Sequence, residues 1–198
     1  ETGNGDTGNQ GVHEMDVARW AIKGATMPKS VWSIGGRFGY EDQGETPNTQ
    51  MAVYEYDEAI LIFETRGLVG KHGIPRVVKN EYYTTEGKIT GGKFYPKNGG
   101  KAVGLNNLGG EVQPGGPFGN FIDCVRSRKR DHLNADVVEG HYSSALCHLG
   151  NISYRTGEKE TFDLKSRKFH KNPQVSEGFE ALNDNLKGIG MKLEDTSY

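Results

Sequence analysis

The sequence predicts an α+β domain: a large, mainly antiparallel open β-sheet with helices on one face. Three observations predict it. The strand-like segments run together in the middle of the chain and the helical patterns flank them, the order expected of a segregated α+β domain rather than of repeated βαβ units. Only 34% of the 198 residues are hydrophobic, yet 29 glycines are available for turns between short strands. The length suits one domain, 1–198, and no internal repeat interrupts it.

The elements follow in order. From Gln10 onward Val12, Met15, Arg19 and Ile22 recur at helical spacing until Gly24, which predicts a helix over 10–23. SVWSIGGRF, 30–38, reads as a strand with a glycine-marked bulge or bend. QMAVYEY (50–56) and AILIFETR (59–66) alternate as a hairpin turning at Asp57 and Glu58. A second hairpin pairs 78–84 with 88–90 around Glu86-Gly87, continued by 93–96, and 99–117 reads as loop. Pro117 is placed as a first helical residue, and Phe118, Phe121, Ile122 and Val125 form a stripe behind it. Asp136 and Glu139 have capping-box spacing. Val138, Tyr142, Ala145, Leu149 and Ile152 carry the next helix up to Gly157, and 177–186 is a weaker terminal helix. Trp32, Phe38, Tyr54, Phe63 and Tyr83 are assigned to the sheet face left uncovered by helices, an apolar surface that calls for a partner. Met51, Val53, Ile60, Ile62 and Phe63 add apolar groups on both faces of the first hairpin.

A net charge of −2 supplies no general attraction for nucleic acid or an anionic membrane, and no run is long and apolar enough to span a bilayer. The basic cluster Arg126-Ser-Arg-Lys-Arg130 falls where a helix should end, where cations complement the dipole. Cys124 and Cys147 lie within helical apolar patterns and read as buried thiols. Asn151-Ile-Ser153 is a glycosylation sequon set in mid-helix. His141 and His148 are seven residues apart, the wrong spacing for a helical ligand pair, so no metal site is expected.

The stretch GNGDTGNQGVHEMDVARW carries the chemistry. Its glycines are not a dinucleotide fingerprint, which needs a buried strand before it and an acidic residue about twenty positions after it. Helical spacing instead places Asn9, His13, Asp16 and Trp20 on one stripe, behind a flexible polar run that can approach a ligand closely. An imidazole there suits proton transfer at neutral pH.

GNQGVHEMDVARW, FGNFIDCVRSRKR and DVVEGHYSSALCHLGNISYRTGE together resemble the C-terminal half of the glucose–fructose oxidoreductase and inositol dehydrogenase (Gfo/Idh/MocA) family. The resemblance implies a dihydrodipicolinate-reductase-like C-terminal domain that follows a Rossmann domain holding NAD or NADP and a Glu-Lys-Pro lysine. Neither the fingerprint nor Glu-Lys-Pro occurs here. The chain is therefore expected to be a detached substrate domain, truncated at both ends, that binds no cofactor by itself. The resemblance places His13 on the catalytic histidine, Asp16 on the acid that follows it, and Asn9 where many members carry a catalytic aspartate. His13 and Asn9 are thus the catalytic candidates, and Asp16, Gln10 and Asn4 the substrate-binding ones. An amide at Asn9 can hold a hydroxyl or orient the ring but cannot raise the imidazole's basicity as a carboxylate would. The expected substrate is a sugar, polyol or related carbohydrate, and the expected partner a second copy docked on the open sheet. Redox-assisted glycoside cleavage and a non-catalytic oligomerising module are the alternatives. The compartment, cytoplasmic or periplasmic, stays open.

Overall fold

The computed structural model describes residues 3–68, 77–105, 114–157, 160–163, 168–169 and 184. The chain divides into two compact units, 1–76 with 142–198, and 77–141.

The first unit is built on a five-stranded antiparallel sheet in the order β3-β2-β1-β8-β9. Its strands are β1 (Ser30–Gly36), β2 (Thr49–Glu55), β3 (Ile60–Arg66), β8 (Glu160–Asp163) and β9 (Lys168–Phe169). The turn at Asp57-Glu58 is closed by Tyr56 N–H donating to Ala59 O at 2.9 Å, as the sequence predicts. The bulge expected near Gly35 is absent: β1 runs against β2 in unbroken register from Ser30–Glu55 to Gly36–Thr49. Gly35 instead serves close approach, since a Cβ there would collide with Thr49 O. β8 and β9 lie outside the strands expected from the sequence.

Alternation sorts the strand residues. Val31, Ser33, Gln50, Ala52, Tyr54, Leu61 and Thr65 face the helices and are buried. The opposite face carries Trp32, Ile34, Met51, Ile60 and Ile62, all exposed, with Val53 half-buried among them. Tyr54 and Phe63 therefore belong to the covered face, not to the open one. Tyr54 pairs with Val31 and Leu61, whereas Trp32 pairs with Val53, itself opposite Ile62, and direct cross-strand partners share a face.

Helices α1 (Gly5–Asn9) and α2 (Gly11–Trp20), together with the unit's part of α4 (Val137–Thr156), cover that face. The expected single helix over 10–23 begins earlier, breaks at Gln10 and ends at Trp20. Its buried side is nonetheless the expected one, with Met15 and Arg19 buried and Val12 and Ile22 packed on the core. On α4, Leu149 of the expected stripe is buried and Ile152 packs on the core, while Ser143, Leu146, Cys147, Gly150 and Ser153 extend the buried face beyond that stripe. Small side chains let the helix settle closely on the strands. Tyr54 Oη donates to Leu146 O at 2.8 Å, and Ser153 Oγ to Val31 O at 3.3 Å. Gly150 has no room for a side chain: a Cβ would lie 2.5 Å from Tyr54 Oη and 3.4 Å from Ala52 Cβ. Gly150→Ala is accordingly expected to lower stability by about 1–3 kcal/mol through overpacking, despite its better helix propensity, read as an earlier urea midpoint.

The second unit holds a four-stranded antiparallel meander, β4 (Glu81–Tyr83), β5 (Gly87–Thr90), β6 (Lys93–Pro96) and β7 (Val103–Gly104), followed by α3 (Gly116–Ser127). Tyr83 belongs to this sheet rather than to the open face of the first. α3 has proline in its first turn, as expected, but its burial is inverted: Asn120 and Cys124 are buried while Phe118, Phe121, Ile122 and Val125 are exposed. Asn120 is held inward by Nδ2 donating to His132 O at 2.8 Å and Oδ1 accepting from Asn134 N–H at 3.0 Å. The helix ends at the basic cluster, with Arg128 in the left-handed cap position, φ 60°. Asp136 caps α4 through Val138 N–H at 3.1 Å and forms a two-point ion pair with Arg130. Arg130 and the capping amide hold its carboxyl down at about 2. Both cysteines are free and buried. Of the terminal helix expected over 177–186 only residue 184 is described, and it is helical; no helix among the described residues is long and apolar enough to cross a membrane.

Candidate functional site

The glycine-rich stretch folds as α1, a kink at Gln10, and α2. Gly5 makes the entry possible: its φ is +59°, and a Cβ would collide with the Thr46 side chain. Thr46 is held in turn by Arg37, whose Nη1 donates to Thr46 O at 2.9 Å. The same guanidinium grips Asp42 at two points, and this ion pair raises the Arg37 pKa above its usual value. The loop beside α1 is therefore pinned by one arginine.

Beneath α1 the sheet face changes from apolar to polar. Thr7 is 1% exposed, and its hydroxyl donates to Gln50 Oε1 at 2.6 Å. With that proton committed, the 3.2 Å contact to Thr65 Oγ1 has Thr65 as donor. Gln50 Nε2 donates to Ser33 Oγ at 2.9 Å and to Gly150 O at 3.3 Å. Gln50 and Thr7 together thus tie α1, three strands and α4. Asn151, on the same helix as Gly150, adds a second tether, with Nδ2 donating to Asn4 O at 3.0 Å. Its Oδ1 is buried with no partner among the described residues. Asn151 is 9% exposed, so the sequon is closed to modification in the folded chain.

The predicted residues fall into two groups on this scaffold. Asn9 and His13 are exposed, at the end of α1 and in the first turn of α2, and no hydrogen bond engages the His13 imidazole among the described residues. Trp20, at the far end of the stripe, is 67% exposed. The others are already engaged. Gln10 Nε2 donates to Glu14 Oε1 at 2.9 Å along the helix. Asn4 caps α1 and offers its carbonyl to Gly8 N–H and Asn151. Asp16 Oδ1 accepts from Ser143 Oγ at 2.6 Å and lies 3.7 Å from Arg19 Nη2. Arg19 is buried beneath, donating to Ala25 O at 2.8 Å and lying 5.5 Å from the Tyr142 ring centroid. Next to it, burial pushes the Tyr56 hydroxyl up to about 12. Asp16 is thus the link by which α2 is fastened to α4.

Sequence reasoning passed over Thr7, Gln50, Ser143 and Asn151, whose roles depend on contacts far apart in the chain. A threonine in a glycine run and a glutamine in an otherwise alternating strand were the available signals. Among the described residues no three His, Cys, Asp or Glu side chains converge in a metal-like group. A shallow cavity of about 230 Å³ is lined wholly by the second unit, including Phe121, Cys124, Val125 and Arg128.

The α+β fold, an antiparallel sheet covered by helices on one face, is that of the C-terminal part of oxidoreductases of the Gfo/Idh/MocA type. No protein-family model matches it, and no curated protein is similar enough in sequence to match. Solved structures do match. An Agrobacterium radiobacter oxidoreductase in complex with NAD+, L-tartaric acid and magnesium aligns over 76% of this chain and 47% of its own, with TM-score 0.55 and 14% identity. The WlbA dehydrogenase of Bordetella pertussis, in complex with NADH and UDP-GlcNAcA, aligns over 79% of this chain and 44% of its own, with TM-score 0.51 and 17% identity. A Thermotoga maritima protein assigned as an oxidoreductase aligns over 75% of this chain and 44% of its own, with TM-score 0.56 and 17% identity. The chain spans less than half the length of each of these proteins.

Proposed function

We propose that this chain is the substrate-binding domain of an NAD(P)-dependent oxidoreductase acting on a sugar, polyol or related carbohydrate, with His13 as its acid–base group. The observation that carries the reading is the contrast within one segment: a free, exposed imidazole on a backbone that a buried amide network holds in place. Oxidising a carbinol releases the hydroxyl proton as the carbonyl forms, and His13 is the group placed to accept it. Asn9, before the kink, offers an amide to a neighbouring hydroxyl. Asp16 acts through position, keeping α2 fixed on α4 through Ser143.

The described residues do not fit a dinucleotide. The glycine run opens directly into α1, and on this reading the nicotinamide is held by a separate Rossmann domain. Calorimetric titration of the 198-residue chain with NAD+ and NADP+ is expected to give no binding in the micromolar range. The reading itself is tested by assaying the full-length protein for NAD(P)H formation against a panel of polyols, aldoses and uronic acids. Turnover of none of them, by a folded protein that binds NAD(P), would remove it.

The open sheet face is proposed to pair with a second copy. Trp32, Ile34, Met51, Val53, Ile60 and Ile62 present a contiguous apolar surface across three strands, and two-fold pairing is the commonest way such a face is buried. Ile62→Lys, at the outer end of the Trp32–Val53–Ile62 row, is expected to convert a dimer to a monomer at ten micromolar. Sedimentation velocity reads this directly.

A further inference from the structure

The meander of the second unit has one face that its own folding does not explain. Tyr83 on β4 lies opposite Lys88 on β5, which lies opposite Tyr95 on β6, so the three side chains form one row across three strands. Glu81, Thr90 and Lys93 form the next row on the same face. The other face carries the apolar side chains Tyr82, Ile89 and Phe94, all half-buried.

Tyr83 is 74% exposed and Tyr95 44% exposed, yet Tyr83 is not loose. Its Oη donates to Glu81 Oε2 at 2.9 Å, and Lys88 Nζ sits 5.1 Å from its ring centroid. Glu81 also binds Lys88 at 2.8 Å and Lys79 at 2.9 Å. Lys88, Lys79 and the Tyr83 hydroxyl hold the Glu81 carboxyl down at about 2. The aromatic ring is thereby fixed in an exposed position before any ligand arrives, which reduces the ordering cost of binding.

We propose that the Tyr83–Lys88–Tyr95 row binds a linear acidic oligosaccharide, with two alternate pyranose rings stacked on the tyrosines and a uronate carboxylate of the intervening sugar paired with Lys88. Two strand spacings separate the tyrosines by roughly 10 Å, which matches the repeat of two pyranose units in an extended chain. A tyrosine offers a flat apolar surface to the C–H face of a sugar ring and a polar tip to its hydroxyls. The charge is complementary to a polyuronate: Lys79, Lys88 and Lys93 stand against the single carboxylate of Glu81. A nucleic acid is the competing polyanion on this surface, and the oligothymidylate arm of the test below separates the two. This surface is independent of the reading of His13.

Affinity electrophoresis of the protein through native gels tests the proposal, with polygalacturonate as the acidic probe, hydroxyethyl cellulose as the neutral one and oligothymidylate as the nucleic acid. Polygalacturonate is expected to retard the protein at 150 mM salt, and Tyr83→Ala or Tyr95→Ala to weaken that binding at least tenfold. Tyr95→Phe keeps the stacking ring and should bind within about twofold of the parent, while Lys88→Gln should lose most of the preference for the acidic polymer. The proposal is overturned if polygalacturonate causes no retardation, if retardation is unchanged in Tyr95→Ala, or if oligothymidylate binds more tightly through the same tyrosines. Should Tyr83→Ala fail to fold, as judged by circular dichroism, the contrast between Tyr95→Ala and Tyr95→Phe decides the matter.

Discussion

In the full-length protein, His13→Ala is expected to lower kcat by roughly 10²–10⁴, the usual contribution of a positioned acid–base group, while leaving the fold intact. The first half rests on the proposed role of His13 and the second on its surroundings. The imidazole is exposed in the first turn of α2 and makes no hydrogen bond among the described residues, so its removal leaves no buried group unpaired. The loss should fall on kcat rather than on the melting temperature, and exogenous imidazole should restore part of it. Wild-type kcat in a folded His13→Ala protein would return the residue to a surface role. Asn9→Asp is a useful companion, since it sets a carboxylate one helical turn before His13; the variant should fold normally because Asn9 is exposed.

Gln50→Leu should give the largest stability loss outside the apolar core, roughly 2–4 kcal/mol, although leucine is apolar and near glutamine in size. Its amide satisfies the Thr7 hydroxyl and donates to Ser33 and to the Gly150 carbonyl, all within the buried layer beneath α1. Replacing one member leaves the others desolvated and unpaired, at about 1–3 kcal/mol for each stranded group. Urea unfolding should show a lower midpoint with an unchanged slope. Hydrogen exchange should accelerate first at 4–10, because Thr7 loses its anchor. If the exchange rates of that segment stay at their parent values, the network does not position the His13 helix.

The legible parts of the fold were those written in neighbouring residues. The turn at Asp57-Glu58, the first-turn proline at Pro117, the Asp136 cap and the stop at Gly157 each depend on local backbone chemistry, and each is found in the structure. What escaped depended on distance. α1 is rich in glycine, and its helical form is supported by the Thr7 and Asn151 contacts made 43 and 147 residues away. On α4 the apolar stripe located Leu149 and Ile152 correctly but missed Ser143, Gly150 and Ser153, whose small groups permit a closer approach to the sheet than large ones. Tyr54 and Phe63 were placed on the wrong side of the sheet because side-chain direction is set by register against neighbouring strands. Spacing alone put His13, Asp16 and Trp20 on one helix, while Asn9 falls across the break at Gln10. That Asp16 would be engaged by Ser143, 127 residues away, was not.

The burial of Asn151 sets a race between two processes in any cell that attaches glycans to nascent chains. A tripeptide acceptor is modified while the polypeptide is still unfolded, and a glycan is far too bulky for a helix face packed against strands. Once Asn151 has reached the Asn4 carbonyl, the acceptor is out of reach; modified first, it blocks the docking of α4 and with it the core around Leu146 and Tyr54. Production through a eukaryotic secretory route should therefore yield two populations, an unmodified folded one and a glycosylated one retained by quality control. Asn151→Gln is a poor remedy, since the longer side chain displaces the tether it is meant to preserve. Ser153→Ala removes the acceptor signal and leaves the Asn151 side chain in place, giving up the 3.3 Å bond from Ser153 Oγ to Val31 O.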